Sequence, residues 1–221
     1  VTDDGTMLRG KKAYERGEFI ASTDERFRPV NLSSAPDGTL YVVDMYHGII
    51  QQKGFITEYL RDHILAKKLE APISVGRIWR IVHDTTKREQ PPALSKAPAA
   101  TLVKTLSHPN GWWRDTAQQL LVLKRDKSVV PALERMARTS TNLLGRFHAM
   151  WTLEGLGALE ATLTRQLMED AVPRMRIQAI RASETLYGIP VGEAIGRPLQ
   201  ELLHTPETAR EFEAVVAAIC A

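Results

Sequence analysis

A motif of arginine, two further residues and then alanine occurs three times in the second half of the chain. Its arginines are Arg114, Arg146 and Arg176, so the copies are spaced by 32 and 30 residues. Apolar residues at helical spacing follow each alanine, and shorter amphipathic stretches lie between the copies. A period of this length is typical of stacked helix pairs, because one pair cannot bury both of its faces alone. The sequence therefore predicts helical repeats over residues 98–221, with a fourth, irregular unit at 192–204 and 206–221.

The regular arginines permit two interpretations. Each could lie at the start of the second helix of its unit and reach an acidic residue of the next unit. Alternatively, the three side chains could line a surface that binds anions. Regular spacing favours the first interpretation, an inter-repeat ladder.

Residues 1–84 show a different pattern, in which short β-type stretches alternate with turn residues. The run from Ala35 to Gly38, with Pro36 and Asp37 between them, is a strong turn signal. β-branched and aromatic residues follow at 39–44, and further extended stretches lie at 27–32 and 76–82. Between these stretches, residues 55–69 have apolar side chains at helical spacing. We therefore expect a β-rich region with a helical insertion, joined to the repeats by a proline-containing linker at 85–97.

Composition excludes several classes of protein. The chain has 221 residues and a formal net charge of +3, with basic and acidic residues interleaved. A nucleic-acid partner is not expected, because its binding site would need clustered basic residues. The single cysteine, Cys220, permits no intrachain disulfide, and no apolar run reaches the roughly 20 residues of a membrane span. Both ends of the sequence look internal, so we expect a piece of a longer polypeptide.

Several segments together resemble one protein family. Residues 18–24, 27–30, 35–46 and 76–82 resemble the last part of the β-propeller of PVC-type membrane-bound dehydrogenases, also called haem-binding proteins. That propeller is similar to the propeller of quinoprotein sugar dehydrogenases. Residues 107–117 and 150–157 resemble the HEAT-like helical segment that follows the propeller in this family.

The resemblance implies an α+β fold class in two parts. Residues 1–84 would be terminal β-propeller strands with a helical insertion, and residues 98–221 an α-helical HEAT-like solenoid. It also implies a periplasmic or otherwise exported protein whose partners include the rest of its own chain. The whole protein could use c-type haem, pyrroloquinoline quinone or calcium, while this piece holds no cofactor. The haem motif Cys-x-x-Cys-His is not in the sequence, and Cys220 with Ala221 supplies at most its first two positions.

The candidate catalytic residues are Arg28, Asp44 and Tyr46, which lie beside the predicted strands. In a propeller, strand ends and their loops line the face where substrates bind. Asp44 could then be a general base or a metal ligand, and Arg28 could hold an anionic cofactor or substrate. The structural alternative, which we favour, is an ion pair between Arg28 and Asp44 that stabilises the strands.

Other candidates have a stronger structural interpretation. Trp112 and Trp113 could form an aromatic recognition surface, but large aromatic side chains mostly serve packing. His108 and His148 have no second ligand at metal spacing, so hydrogen-bonded structural roles are favoured. Cys220 follows an apolar helical stretch, which favours a buried thiol over haem attachment. Phosphate-binding loops and the common hydrolase motifs are missing from the sequence.

Two function hypotheses follow. In the first, the chain is part of an exported oxidoreductase that acts on sugars or related alcohols, and this piece supplies the last blade and a helical spacer. In the second, it is a binding or scaffold module without enzymatic activity, whose helical surface docks a protein or a glycan. Propellers and helical repeats support both classes, so the fold alone does not decide between them.

Overall fold

The computed structural model describes residues 1–3, 7–50, 53–85, 87–90 and 92–187. Within them the chain forms two compact units. The sheet unit runs from Lys12 to Pro92. The helical unit contains Val1–Lys11 and the described residues from Ala93 onward.

The sheet unit contains three antiparallel strands: β3 (Pro29–Ser34), β4 (Leu40–Asp44) and β5 (Arg77–Ile81). Their order is β3-β4-β5, so β4 is central. The turn between β3 and β4 forms as predicted. Gly38 has a φ of 82°, and the Asp37 carboxylate accepts hydrogen bonds from the backbone and the hydroxyl of Thr39.

Helix α1 (Glu58–Lys67) lies between β4 and β5 in the chain. The Thr57 hydroxyl caps its start by accepting a hydrogen bond from Leu60 N, and Lys68 ends it in the left-handed conformation. The Arg26 guanidinium donates to backbone carbonyls at the end of the helix, including Lys68 O at 2.9 Å. The strand and helix positions expected at 39–44, 76–82 and 55–69 are therefore confirmed as β4, β5 and α1.

The sheet unit has a small apolar core. Among its described residues, the buried hydrophobic side chains are Ala35, Val42, Ile64 and Leu69. Buried apolar area is the main source of folding free energy. The stability of this unit therefore depends strongly on polar contacts as well.

The helical unit begins with a two-stranded sheet, β1 (Thr2–Asp3) and β2 (Leu8–Arg9), followed after the sheet unit by six α-helices. These are α2 (Ala99–Thr105), α3 (Gly111–Lys124), α4 (Val130–Thr139), α5 (Leu143–Gly155), α6 (Ala161–Met168) and α7 (Pro173–Tyr187). Asparagine side chains cap two of them, at Asn110 before α3 and at Asn142 before α5.

The six helices pack in pairs, α2 with α3, α4 with α5 and α6 with α7. The second helices also contact one another, because α5 packs against both α3 and α7. The motif alanines Ala117, Ala149 and Ala179 have no exposed area, as expected where helices approach closely. One continuous apolar cluster joins these helices, and its fully buried members include Leu121 and Leu153.

The predicted fold class is wrong. The described residues form five short strands in two small antiparallel sheets and seven α-helices, with no closed propeller. A propeller blade is a sheet of four strands, and a propeller is a ring of such blades around a central channel. The turn and strand signals at 27–44 are common to any antiparallel hairpin. They could not distinguish a blade from the three-stranded sheet that forms, and the chain is a mixed α and β structure.

Three expectations fall outside the described residues. They are the helical segments at 192–204 and 206–221 and the environment of Cys220.

Candidate functional site

Asp44, the last residue of β4, lies at the centre of a polar cluster in the sheet unit. The residue is buried, with only 1% of its surface exposed. Oδ1 accepts hydrogen bonds from the backbone N–H groups of Arg28 and Tyr46, each at 2.8 Å. Oδ2 accepts a third from the indole Nε1–H of Trp79 at 3.0 Å. The structure thus brings all three predicted site residues together around one carboxylate.

The electrostatic environment keeps Asp44 ionised. Burial by itself raises the pKa of this carboxyl, because a charged group is poorly solvated there. The N–H groups of Arg28, Trp79 and Tyr46, together with the positive charge of Arg77, outweigh burial and hold the pKa below its ordinary value. Asp44 is therefore a hydrogen-bond acceptor at neutral pH.

Arg28 contacts Asp44 in a different way from the expected ion pair. Its backbone N–H binds the carboxylate, while its guanidinium donates to the carbonyl oxygens of Phe27 at 3.2 Å and Gly48 at 3.3 Å. This guanidinium stabilises the loop after β4. It is therefore poorly placed to hold an anionic substrate.

Tyr46 is held in an uncommon backbone conformation, with a φ of 45°. The Asp44 carboxylate binds its N–H, and its side chain forms a hydrogen bond with Asp24, which helps to lower the pKa of that carboxyl. Non-glycine residues with positive φ need such support from their surroundings. The backbone of Tyr46 is consequently held by Asp44 and its side chain by Asp24.

Two residues of β5 belong to the cluster and were missed in the sequence. Trp79 pairs with Val42, and Arg77 pairs with Asp44 across the sheet. The Arg77 guanidinium lies 3.4 Å from the centroid of the Tyr46 ring and 5.4 Å from that of Trp79. The alternation of β5 indicates that Arg77 and Trp79 share a face, but the register with β4 is not visible in the sequence.

This arrangement favours a structural role for Asp44. A general base needs a free lone pair directed at a substrate, and a metal ligand needs an oxygen that faces a cation. Both oxygens of Asp44 instead face N–H donors, and almost none of the residue is accessible. A calcium ion would meet those donor hydrogens, so the carboxylate does not fit as its ligand. The catalytic role of Arg28, Asp44 and Tyr46 stays a prediction.

The motif arginines of the helical unit make mainly structural contacts. Arg114 donates to the carbonyl of His108 at 2.6 Å, and Arg176 donates to the carbonyl of Asp170 at 2.8 Å. Arg146 is nearly buried. It donates to Ala137 O at 2.8 Å and forms an ion pair with the Asp170 carboxylate. Of these three arginines, Arg146 makes the predicted contact with an acidic residue of the next helix pair.

Within the described part of the helical unit, the two histidines take part in hydrogen-bonded or stacked contacts. His108 stacks on Trp113 with 4.4 Å between ring centroids. His148 Nε2 accepts from Arg114 Nε–H at 3.3 Å, and its Nδ1 lies 2.7 Å from Gln118 Oε1. Together these contacts define a neutral ring that donates from Nδ1. Burial lowers the pKa of His148, as does Arg114, against the opposite effect of Asp115.

Two further findings concern metals and membranes. Within the part of the chain that the structure describes, no three side chains of His, Cys, Asp or Glu come together as a group that could hold a metal ion. No described helix combines the length and the apolar character required to cross a bilayer.

A family model matches the first part of the chain. Residues 1–85 match the family described as Domain of unknown function (DUF7133). The matched part includes the sheet unit up to the residues just after β5, and therefore the whole Asp44 cluster. No curated protein and no solved structure matches the chain.

Proposed function

We propose that this chain is a polypeptide-binding module, in which an extended segment of a partner adds to the edge of the three-stranded sheet at β5. The observation that carries the proposal is that β5 is exposed and lies at an edge of the sheet. All of its residues but the last are exposed, and within the described residues it pairs with β4 alone. An open strand edge presents unpaired N–H and C=O groups, which are a template for a further strand.

Exposed apolar side chains at β5 support this proposal. Ile78 is 69% exposed, Trp79 is 42% exposed, and Val82, just after the strand, is 44% exposed. Ile78 and Trp79 lie on opposite faces of β5, so each face of this edge carries exposed apolar surface. Such surface is unfavourable in water and commonly marks interaction sites. An added strand would shield these side chains while its backbone pairs with the edge.

The other edge of the sheet is less suitable. Strand β3 begins with Pro29, which has no N–H to donate, and its register with β4 is irregular between Pro29 and Asn31. Proline and bulges are the devices that protect edge strands from pairing. Strand β5 contains no proline, and it pairs with β4 in regular register over all five residues.

The helical unit offers weaker support for docking. Among its described residues, the exposed large apolar side chains outside the first eleven residues are scattered over separate helices, at Leu123 in α3, Leu144 in α5 and Ile177 in α7; Val1, Met7 and Leu8 are exposed near the start of the chain. Single exposed apolar residues are normal on protein surfaces. The sheet edge is therefore a better candidate than the helical surface expected from the sequence.

The test uses a short fluorescent peptide in which glutamine alternates with valine, measured by fluorescence anisotropy. We expect binding to the full chain. Methylating alternate amide nitrogens of the peptide should abolish binding, because strand addition needs those N–H groups. Ile78→Ala should weaken binding, while Leu123→Ala, which removes a similarly exposed side chain from α3, should not.

Three results would count against the proposal. They are equal binding of the methylated peptide, equal effects of the two alanine variants, and no binding of any peptide. The oxidoreductase hypothesis remains a separate prediction with its own assay, in which sugars are offered with a quinone and a redox dye. Dye reduction by this chain would favour that hypothesis over a binding module.

A further inference from the structure

We infer that the partner segment is acidic, and that Arg77 binds a carboxylate of that segment. This inference rests on the proposed strand addition at β5 and names the chemistry of the partner. Its starting point is the side chain of Arg77, which is exposed and forms no hydrogen bond to any other described residue. Its guanidinium therefore keeps N–H groups available for a planar anion such as a carboxylate.

The position of this guanidinium is fixed in advance by its two aromatic neighbours. It lies over the Tyr46 ring at 3.4 Å and beside Trp79 at 5.4 Å. Both neighbours are in turn bound to the Asp44 carboxylate, through the Tyr46 backbone N–H and the Trp79 indole. A cation held in place before binding loses little conformational freedom when a ligand arrives. Asp44 thus acts as a positioning residue for the Arg77 site.

Arg77 is the cation beside Asp44 that faces solvent. Its positive charge acts on the carboxylates of Asp44 and Asp24. The guanidinium of Arg26 lies beside Asp24 and donates to backbone carbonyls at the end of α1, and that of Arg28 donates to the carbonyls of Phe27 and Gly48. An approaching carboxylate can therefore pair with the exposed guanidinium of Arg77.

The geometry of strand addition brings a partner side chain to the same place. A strand added to β5 would lie about 4.8 Å away, with opposite side chains about 5 Å apart at Cβ. A residue directly across from Arg77 is thus within reach of its guanidinium. A second arginine, Arg80, lies on the opposite face of β5, where it binds the Tyr41 hydroxyl at 2.8 Å. Both faces of the edge consequently carry positive charge.

The same charges disfavour a second copy of this chain as the occupant. Pairing β5 with itself would bring two arginines of one strand toward two of the other, and like charges on paired strands are destabilising. An acidic strand would be attracted by the same side chains. The charge of β5 therefore selects between the two occupants.

The experiment compares two fluorescent peptides of equal length, one alternating glutamate with valine and one alternating glutamine with valine. Anisotropy titrations with the full chain at low salt should give tighter binding of the glutamate peptide. Arg77→Gln should weaken its binding about tenfold, which is 1.4 kcal/mol, without changing the affinity for the glutamine peptide. Arg77→Lys should have an intermediate effect, because lysine keeps the charge and loses the planar stacking.

The matched control is Arg61→Gln, which removes an exposed arginine from α1 and should leave both affinities unchanged. Hydrogen exchange of β4 checks that each variant is folded. Equal binding of the two peptides, or equal effects of the Arg77 and Arg61 variants, would overturn the acidic preference while strand addition stands. Failure of both peptides to bind would overturn both proposals. Concentration-dependent self-association that Arg77→Gln strengthens would show that a second copy is the occupant.

Discussion

Replacing Asp44 with asparagine separates a structural carboxylate from a catalytic one. The change preserves size and leaves an oxygen for the N–H groups of Arg28 and Tyr46. The new amide NH2 replaces Oδ2, however, and it then faces the indole N–H of Trp79. Two donors would oppose each other where a charge-assisted hydrogen bond existed.

The magnitude follows from those contacts. A hydrogen bond to a charged group contributes about 1.5–3 kcal/mol to stability. A buried donor left without an acceptor costs about 1–3 kcal/mol more. We expect Asp44→Asn to lower the free energy of opening of the sheet unit by about 3 kcal/mol. The effect is large for this unit, because its buried apolar residues are few.

The assay is hydrogen exchange measured by mass spectrometry on the full chain. A loss of about 3 kcal/mol corresponds to roughly 100-fold faster exchange of the amides of β4 (Leu40–Asp44), since 1.4 kcal/mol is a factor of ten. Amides of α5 in the helical unit serve as the internal reference. They should exchange at the same rate in both proteins.

A double-mutant cycle isolates the contact with the indole. Trp79→Phe removes the N–H donor, so Asp44→Asn should be less damaging in that background by about 1–2 kcal/mol. Additive effects of the two substitutions would show that Oδ2 and the indole do not interact. If the amides of β4 exchange at the same rate in Asp44→Asn, the structural role of the carboxylate is refuted and the catalytic interpretation is favoured.

Three further predictions concern packing, ion pairing and pH. Gly48→Ala should speed exchange in the sheet unit, because its Cβ would lie 2.6 Å from a backbone oxygen, while Gly54→Ala has open space and should be neutral. Arg146→Met should lower the free energy of unfolding of the helical unit by about 3 kcal/mol in thermal melts, since it removes the guanidinium that forms the ion pair with the Asp170 carboxylate and leaves that carboxylate the Val172 N–H; a loss below about 1 kcal/mol would contradict this. Because the pKa of His148 is lowered on folding, the neutral ring stabilises the folded state fully above the ordinary pKa of 6.5, and this stabilisation falls as the pH drops below that value. Thermal melts of His148→Gln as a function of pH should therefore lose this part of the pH dependence. Identical pH profiles of stability for the two proteins would contradict a neutral His148 in the folded state.

The sequence predicted most of the local elements. The turn at Asp37 and Gly38, the strand that ends at Asp44, and the helices that follow Asn110 and Asn142 all form near their expected positions. Periodicity, turn residues and capping side chains act over a few neighbouring residues. Their signals are therefore complete within a short window of sequence.

The global fold class could not be read in the same way. The number of strands in a sheet depends on which segments meet, and hairpin signals are shared by many folds. The family resemblance led to a propeller, whereas the described chain has a three-stranded sheet. The motif arginines show the same limit, because the spacing identified the side chains and not their acceptors. Arg114 and Arg176 bind carbonyls of nearby turns, whereas Arg146 reaches Asp170.

For the candidate site, the sequence determined which residues lie at the end of β4, and tertiary structure decided what they do. Trp79 is 35 residues from Asp44 in the chain, and Arg77 meets Tyr46 only because β5 pairs with β4 in one register. A shift of that register by one residue would turn both β5 side chains to the other face. Packing of the whole unit selects the register. The Asp44 cluster and the exposed arginine beside it are therefore properties of the folded chain.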